Sequence, residues 1–138
     1  LPSNPNENVK SPRKLKVESK FFDLEQTKAL LRSLDNEPIK YQAIIRLALD
    51  TGCRCGELIG LEWTDINFNT GYVSITKTLQ KIHGELIEGT PKNNNSIRHV
   101  PISEPTIEIL KEYKKYMDNM KYMVGSKWKN TKKIFATD

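Results

Sequence analysis

An α+β fold, mainly helical with a small three-stranded antiparallel sheet, is predicted by three changes of apolar period along the 138 residues. Apolar positions recur at helical spacing from residue 23 to about 62, alternate at period two between 72 and 102, and return to helical spacing from 103 to 124. A chain this long fits one domain, able to bury roughly two-thirds of its unfolded surface. Its 37% hydrophobic and 28% charged residues lie in the ordinary range for globular domains.

The elements follow in order. Residues 1–20 hold three prolines, three asparagines and five basic groups with no apolar period, the composition of an extended linker. In "FFDLEQTKALLRSL" Asp23 is placed to cap a helix and Gln26 to complete a capping box. Leu24, Leu30, Leu31 and Leu34 would form its apolar side. Pro38 ends that helix by disfavouring helical geometry at Glu37. A second helix starts near Ile39, with Tyr41, Ile44, Ile45, Ala48 and Leu49 on one face and Gly52 at its end. A third, short helix is expected at about 54–62, with Leu58, Ile59 and Leu61 apolar. "NFNTG" is a turn. "YVSITKTLQK" alternates as a strand with Val73, Ile75 and Leu79 on one side, and "GELIEGT" and "IRHVPI" complete a meander around the polar loop "PKNNNS". Ser103 caps a last helix in which Leu110, Tyr113, Met117, Met120 and Val124 line one side. "GSKWKNTKK" is a basic loop, and "IFATD" begins a further element.

Charge is unevenly placed. Residues 1–20 carry five basic and two acidic groups, net +3; residues 111–138 carry eight and three, net +5; the stretch between carries nine and twelve, net −3. Basic ends on a near-neutral body suit a polyanionic partner, and equally suit solubilising surface lysine. No apolar stretch is long enough to span a bilayer and no signal-peptide pattern opens the chain, so no membrane role is expected. The chain opens at Leu1 and is expected to be a processed or excised piece of a longer protein. Two cysteines one residue apart make no disulfide framework, which points to a reducing, cytoplasmic setting.

"TGCRCGEL" carries the sharpest chemical signal. A zinc site built on Cys53 and Cys55 would need both His83 and His99 from separate strands, so no metal is assigned. No Cys-His-acid constellation supports thiol catalysis, and the cysteines are expected to be small, mostly buried packing groups. Arg54 at a helix start opposes the macrodipole, so a purely stabilising role explains it poorly. A guanidinium beside free backbone N–H groups suits a phosphate, and Glu57, one turn on, can hold it in place. The competing reading is a simple surface pair worth under about 1 kcal/mol. Lys92, at the start of the asparagine-rich loop, is either a solvated loop residue or a proton donor reaching into a cleft.

These residues carry a resemblance. The string T-G-x-R-x-[GS]-E-L-x-x-L-x-W-x-D-[IL] is complete from Thr51 to Ile66, and P-K-x-x-x-S-x-R-x-[VI]-P-[IL] runs from Pro91 to Ile102. Both resemble the catalytic domain of tyrosine recombinases, the phage-integrase family, a DNA breaking-rejoining fold, over residues from about 10 to 138. The resemblance implies strand cleavage without metal or other cofactor: a tyrosine attacks the scissile phosphate, forming a 3′-phosphotyrosyl link and freeing a 5′-hydroxyl. It implies that Arg54 stabilises charge on the phosphoryl oxygens, that Lys92 is the general acid toward the departing 5′-oxygen, and that Glu57 supports the arrangement. By analogy with other preorganised donors, loss of Arg54 would cost roughly 3–4 kcal/mol of transition-state stabilisation.

The family's H-x-x-R box, later His or Trp, and nucleophilic tyrosine would follow the point where this chain stops. Tyr41, Tyr72, Tyr113, Tyr116 and Tyr122 all precede it and are expected to pack or face solvent. Residues 1–20 are thus expected to be a basic interdomain linker, with Lys10, Arg13, Lys14 and Lys16 near phosphates of double-stranded DNA, and 21–138 the first part of a catalytic domain. The expectation is an integrase fragment from a mobile element, unable to cleave DNA alone, with an exposed apolar face and self-association. The alternative is a non-catalytic DNA-binding or regulatory module. The second and third helices around Gly52 invite misreading as a helix-turn-helix, but the third is short and mostly apolar, which leaves few polar residues to read base edges.

Overall fold

Asp23 caps the first helix as the capping box requires. In the computed structural model, which describes residues 20–83, 85–89, 97–129 and 132–135, Asp23 Oδ1 accepts from the Gln26 N–H at 2.8 Å and Gln26 Oε1 from the Asp23 N–H at 3.0 Å. Helix α1 (Leu24–Leu34) follows, burying only Leu34 fully. Helix α2 (Ile39–Thr51) ends at Gly52, whose φ of 60° lets its N–H reach the Ala48 carbonyl at 2.9 Å.

Helix α2 is rotated from the expected face. Its buried residues are Ala43, Leu47 and Thr51, with Ile44 and Ala48 alongside, whereas Tyr41 and Leu49 are exposed. Apolar residues surround most of this helix, so the pattern alone did not fix its rotation. The small Ala43 side chain permits a close approach, and α2 packs chiefly on helix α4 (Glu104–Val124).

Helix α3 (Cys55–Gly60) is shorter than expected, because the chain turns extended at Leu61. A 3₁₀ turn at Trp63–Asp65 leads into strand β1 (Ile66–Asn67), unforeseen beside the "NFNTG" turn. Strand β2 (Tyr72–Ile75) lies between β1 and β5 (Arg98–Pro101), all antiparallel, with Ile66 opposite Val73 and Val73 opposite Val100. This is the small three-stranded sheet, but not the expected meander. The alternating run breaks after Ile75, and β3 (Thr78–Ile82) pairs with β4 (Glu85–Gly89) as a separate hairpin. A charged side chain stands at the break. Lys77 turns its amine to Glu62 at 3.0 Å and Asp65 at 3.6 Å, while β3 lies along α3.

The core gathers Ala43, Leu47, Leu58, Leu61, Ile66, Val73, Ile75, Ile102, Leu110 and Tyr113. Ser103 precedes α4 as expected, but its hydroxyl does not cap its own helix. Asp50 Oδ2 on α2 instead accepts from the Ser103 N–H at 2.9 Å and hydroxyl at 2.7 Å, joining the two helices. Helix α4 buries Thr106, Leu110 and Tyr113, while Val124 at its end is exposed.

Ile134 and Phe135 also join this core. The Ile134 N–H donates to the Leu61 carbonyl at 2.9 Å, and the Tyr113 hydroxyl to the Ile134 carbonyl at 3.2 Å. Beside them, Lys133 Nζ donates to the Gly60 carbonyl at 3.1 Å, Glu62 at 3.0 Å and Glu88 at 2.7 Å. One amine thereby ties hairpin β3–β4 to the end of α3, which fixes the frame from which the site projects.

Candidate active site

Two constraints from the sequence meet at Glu57. It is the one acidic residue of a short helix otherwise made of apolar and small side chains, so folding α3 onto the core carries a carboxylate inward. Arg98 opens a strand whose inward positions are Arg98 and Val100, so the sheet carries a guanidinium inward. Neither charge is tolerable alone in such a place, and each answers the other.

The pairing is dense. Glu57 Oε2 accepts from Arg98 Nη2 at 2.8 Å and from the Arg54 N–H at 2.9 Å; Oε1 accepts from Arg54 Nη1 at 3.2 Å and Arg98 Nη1 at 3.3 Å. The side chain of Glu57 is 5% exposed, that of Arg98 31%, and that of Arg54 79%. Hydrogen bonding from Arg98 outweighs burial and, with the Arg54 bonds, holds the Glu57 carboxyl down at about 2. The same bond raises the affinity of Arg98 for its proton. Glu57 is therefore ionised throughout the neutral range.

Arg54 sits at the N-cap of α3 with extended backbone (φ −66°, ψ 152°), which points its side chain outward. It makes one long side-chain bond to Glu57 and leaves most of its fork to solvent. A simple surface pair does not describe this: the carboxylate is buried and shared with a second cation. The arrangement presents an oriented guanidinium to an incoming anion, backed by a fixed charge pair.

Arg98 is the residue that sequence reasoning missed. It lay inside the quoted P-K-x-x-x-S-x-R string without an assigned role, 41 residues from its partner. The available signal was its period: a cation at an inward strand position requires a buried anion. Lys92 lies outside the described residues, between β4, which ends at Gly89, and β5, which begins at Arg98. Lys10, Arg13, Lys14 and Lys16 lie outside them as well.

The cysteines divide. Cys53 is half-buried, and burial pushes its thiol pKa up. Cys55 is exposed, against the expectation that both pack inward, because the first residue of α3 faces away from the core. His99 Nδ1 shares a 2.9 Å hydrogen bond with the Ser74 hydroxyl across β2 and β5, a strand-surface contact. Tyr113 is buried against Phe135, with ring centroids 5.9 Å apart, while Tyr41, Tyr72, Tyr116 and Tyr122 are exposed. Among the described residues no group of three or more His, Cys, Asp or Glu is arranged to hold a metal ion, and no helix is long and apolar enough to cross a membrane.

Comparison with known proteins is consistent with this geometry. The model of the phage integrase family matches residues 20–135. The ICEBs1 integrase of Bacillus subtilis is 27% identical over 98% of this chain and 37% of its own length. A XerC-like tyrosine recombinase of Caldanaerobacter subterraneus subsp. tengcongensis is 32% identical over 94% of this chain and 34% of its own. The chain thus spans about a third of the length of these curated relatives. Among solved structures, the Tn1549 transposon integrase in complex with transposon right-end DNA superposes with a TM-score of 0.64 at 23% identity, over 73% of this chain and 33% of that one. The XerA recombinase gives 0.63 at 17% identity, over 91% and 37%. At these identities the structural likeness speaks for the fold.

Proposed function

Because the chain belongs to the phage integrase family, we propose that it supplies the first part of the active site of a site-specific tyrosine recombinase acting on double-stranded DNA. The observation that carries this reading is the exposed Arg54 guanidinium, held at the start of α3 by a buried, ionised Glu57. In this reading Arg54 binds the scissile phosphate and stabilises the charge that grows on its oxygens during attack. Glu57 positions Arg54 and takes no proton. Lys92 donates a proton to the departing 5′-oxygen. The nucleophile is a tyrosine of the whole protein, which cuts one strand through a 3′-phosphotyrosyl link and rejoins it to a new 5′-hydroxyl.

Residues 1–20 act as a basic linker to a further DNA-binding domain, and residues 21–138 as the first part of the catalytic domain. The Tn1549 integrase is held with transposon DNA, which supports duplex DNA as the partner here. Lys10, Arg13, Lys14 and Lys16 add backbone contacts, so affinity falls with salt by roughly 0.9 in log–log slope for each phosphate engaged. Exposed apolar residues at the start of α1 and the end of α4 support self-association.

The chain contains no H-x-x-R string, and by itself it forms no covalent bond to DNA. Incubation with duplex DNA followed by denaturing electrophoresis tests this: free DNA alone is expected, and a protein–DNA adduct overturns it. Titrating duplex DNA against salt tests the role of Arg54. Arg54→Ala is expected to lower the slope by about one contact. Binding that ignores Arg54 and Lys92 but collapses on neutralising Lys10, Arg13, Lys14 and Lys16 would instead establish a non-catalytic DNA-binding module.

A further inference from the structure

The carboxylate of Glu57 faces two guanidiniums, and they are not equivalent. Arg98 gives it both terminal nitrogens, at 2.8 and 3.3 Å, in the two-pronged arrangement that suits a carboxylate. Arg54 gives it one side-chain nitrogen at 3.2 Å and is otherwise held through its backbone N–H at 2.9 Å. An Arg54–Glu57 pair alone would be neutral, and a buried anion would draw the Arg54 fork onto itself. With Arg98 included the three side chains carry one net positive charge. Exposure shows where that surplus lies: Arg54 is 79% exposed and Arg98 31%.

We propose that Arg98 is a positioning residue for the anion site: by occupying Glu57 from the β5 side it leaves the Arg54 guanidinium, across the same carboxylate, available to a phosphate. Arg98 then acts by charge balance and through Glu57. It also opens β5, so the start of that strand is tied through Glu57 to the helix that Arg54 caps. This inference rests on the reading of Arg54 as a phosphate ligand, and the two can fail separately.

The test is the salt dependence of binding to a duplex oligonucleotide by the 138-residue chain and four variants: Arg54→Ala, Arg98→Gln, Arg98→Lys, and Arg98→Gln combined with Glu57→Gln. The expected pattern is a slope lower by about 0.9 for Arg54→Ala and by the same amount for Arg98→Gln. Arg98→Lys keeps the charge and is expected to keep the slope. The double variant removes the unmatched anion together with its partner and is expected to recover the slope lost in Arg98→Gln, which a merely structural role would not do.

If Arg54→Ala lowers the slope while Arg98→Gln does not, or if the double variant stays as low as Arg98→Gln, the charge-balance role is wrong and the phosphate-ligand reading survives. If Arg54→Ala changes nothing, both fall. Should Arg98→Gln not fold, as judged by circular dichroism, Arg98→Lys still decides: a slope as low as that of Arg54→Ala overturns the proposal.

Discussion

At the scale of single residues, Glu57 links stability to pH. An unfolded glutamate titrates near 4.3, and the folded chain holds Glu57 at about 2. A folded pKa below the unfolded one means that the unfolded state takes up protons first as pH falls. The stabilisation is therefore complete above the unfolded value and drains away as pH drops from the unfolded value through about 2. The gap corresponds to an order of 3 kcal/mol. Urea denaturation of wild type and Glu57→Gln from neutral to strongly acid solution measures it directly. The wild type is expected to be the more stable by a few kcal/mol near neutrality, and the difference should shrink steadily toward the acid end. A difference that stays constant with pH would mean that Glu57 matters for its shape rather than its charge.

At the scale of elements, α3 and β3 approach so closely that one glycine is obligatory and its neighbour is not. A Cβ on Gly56 would stand 2.6 Å from Thr78 Oγ1 and 2.7 Å from the Leu79 carbonyl oxygen. Thr78 could rotate away, but a backbone carbonyl cannot, so Gly56→Ala is expected to destabilise by about 1–3 kcal/mol, and adding Thr78→Ala should recover little. On Gly60 the nearest atom would be 3.4 Å away, an ordinary contact, so Gly60→Ala should be nearly neutral. Thermal unfolding of the three variants checks the ordering, and equal shifts for Gly56→Ala and Gly60→Ala would contradict it. Elements governed by local chemistry were legible in the sequence: the Asp23 cap, the Gly52 stop and the Val73–Ile75 alternation all depend on neighbours in the chain. The rotation of α2 and the split of β2 from β3 were not, because both go with contacts beyond each element itself: α2 packs on α4, and Lys77 pairs with Glu62 and Asp65. The site divided in the same way. Arg54 and Glu57 stand three residues apart and declare each other, while Arg98 reaches Glu57 from across the fold and became legible only through the sheet.

At the scale of the whole molecule, two kinds of surface oppose each other in their response to salt. Basic groups gather at both ends of the chain, and the proposed DNA binding through them would weaken as salt rises, because each phosphate contact releases counterions. Apolar groups are exposed in two runs as well: Phe21, Phe22 and Leu24 at the start of α1, and Tyr122, Met123 and Val124 at the end of α4. Single exposed apolar residues are common, but two runs of near-consecutive ones suit the proposed self-association. Burial of apolar area is not screened by salt, and strongly hydrated salts favour it. Self-association is therefore expected to persist or strengthen where DNA binding fades. Sedimentation velocity at rising protein concentration, in low salt and in high sulfate, separates the two. The average mass should climb with concentration in both buffers, and Phe21→Ser with Phe22→Ser should reduce it if the α1 end is the contact. A mass that falls toward the monomer as salt rises would assign the association to the charged ends, and a monomer at every concentration would remove self-association altogether.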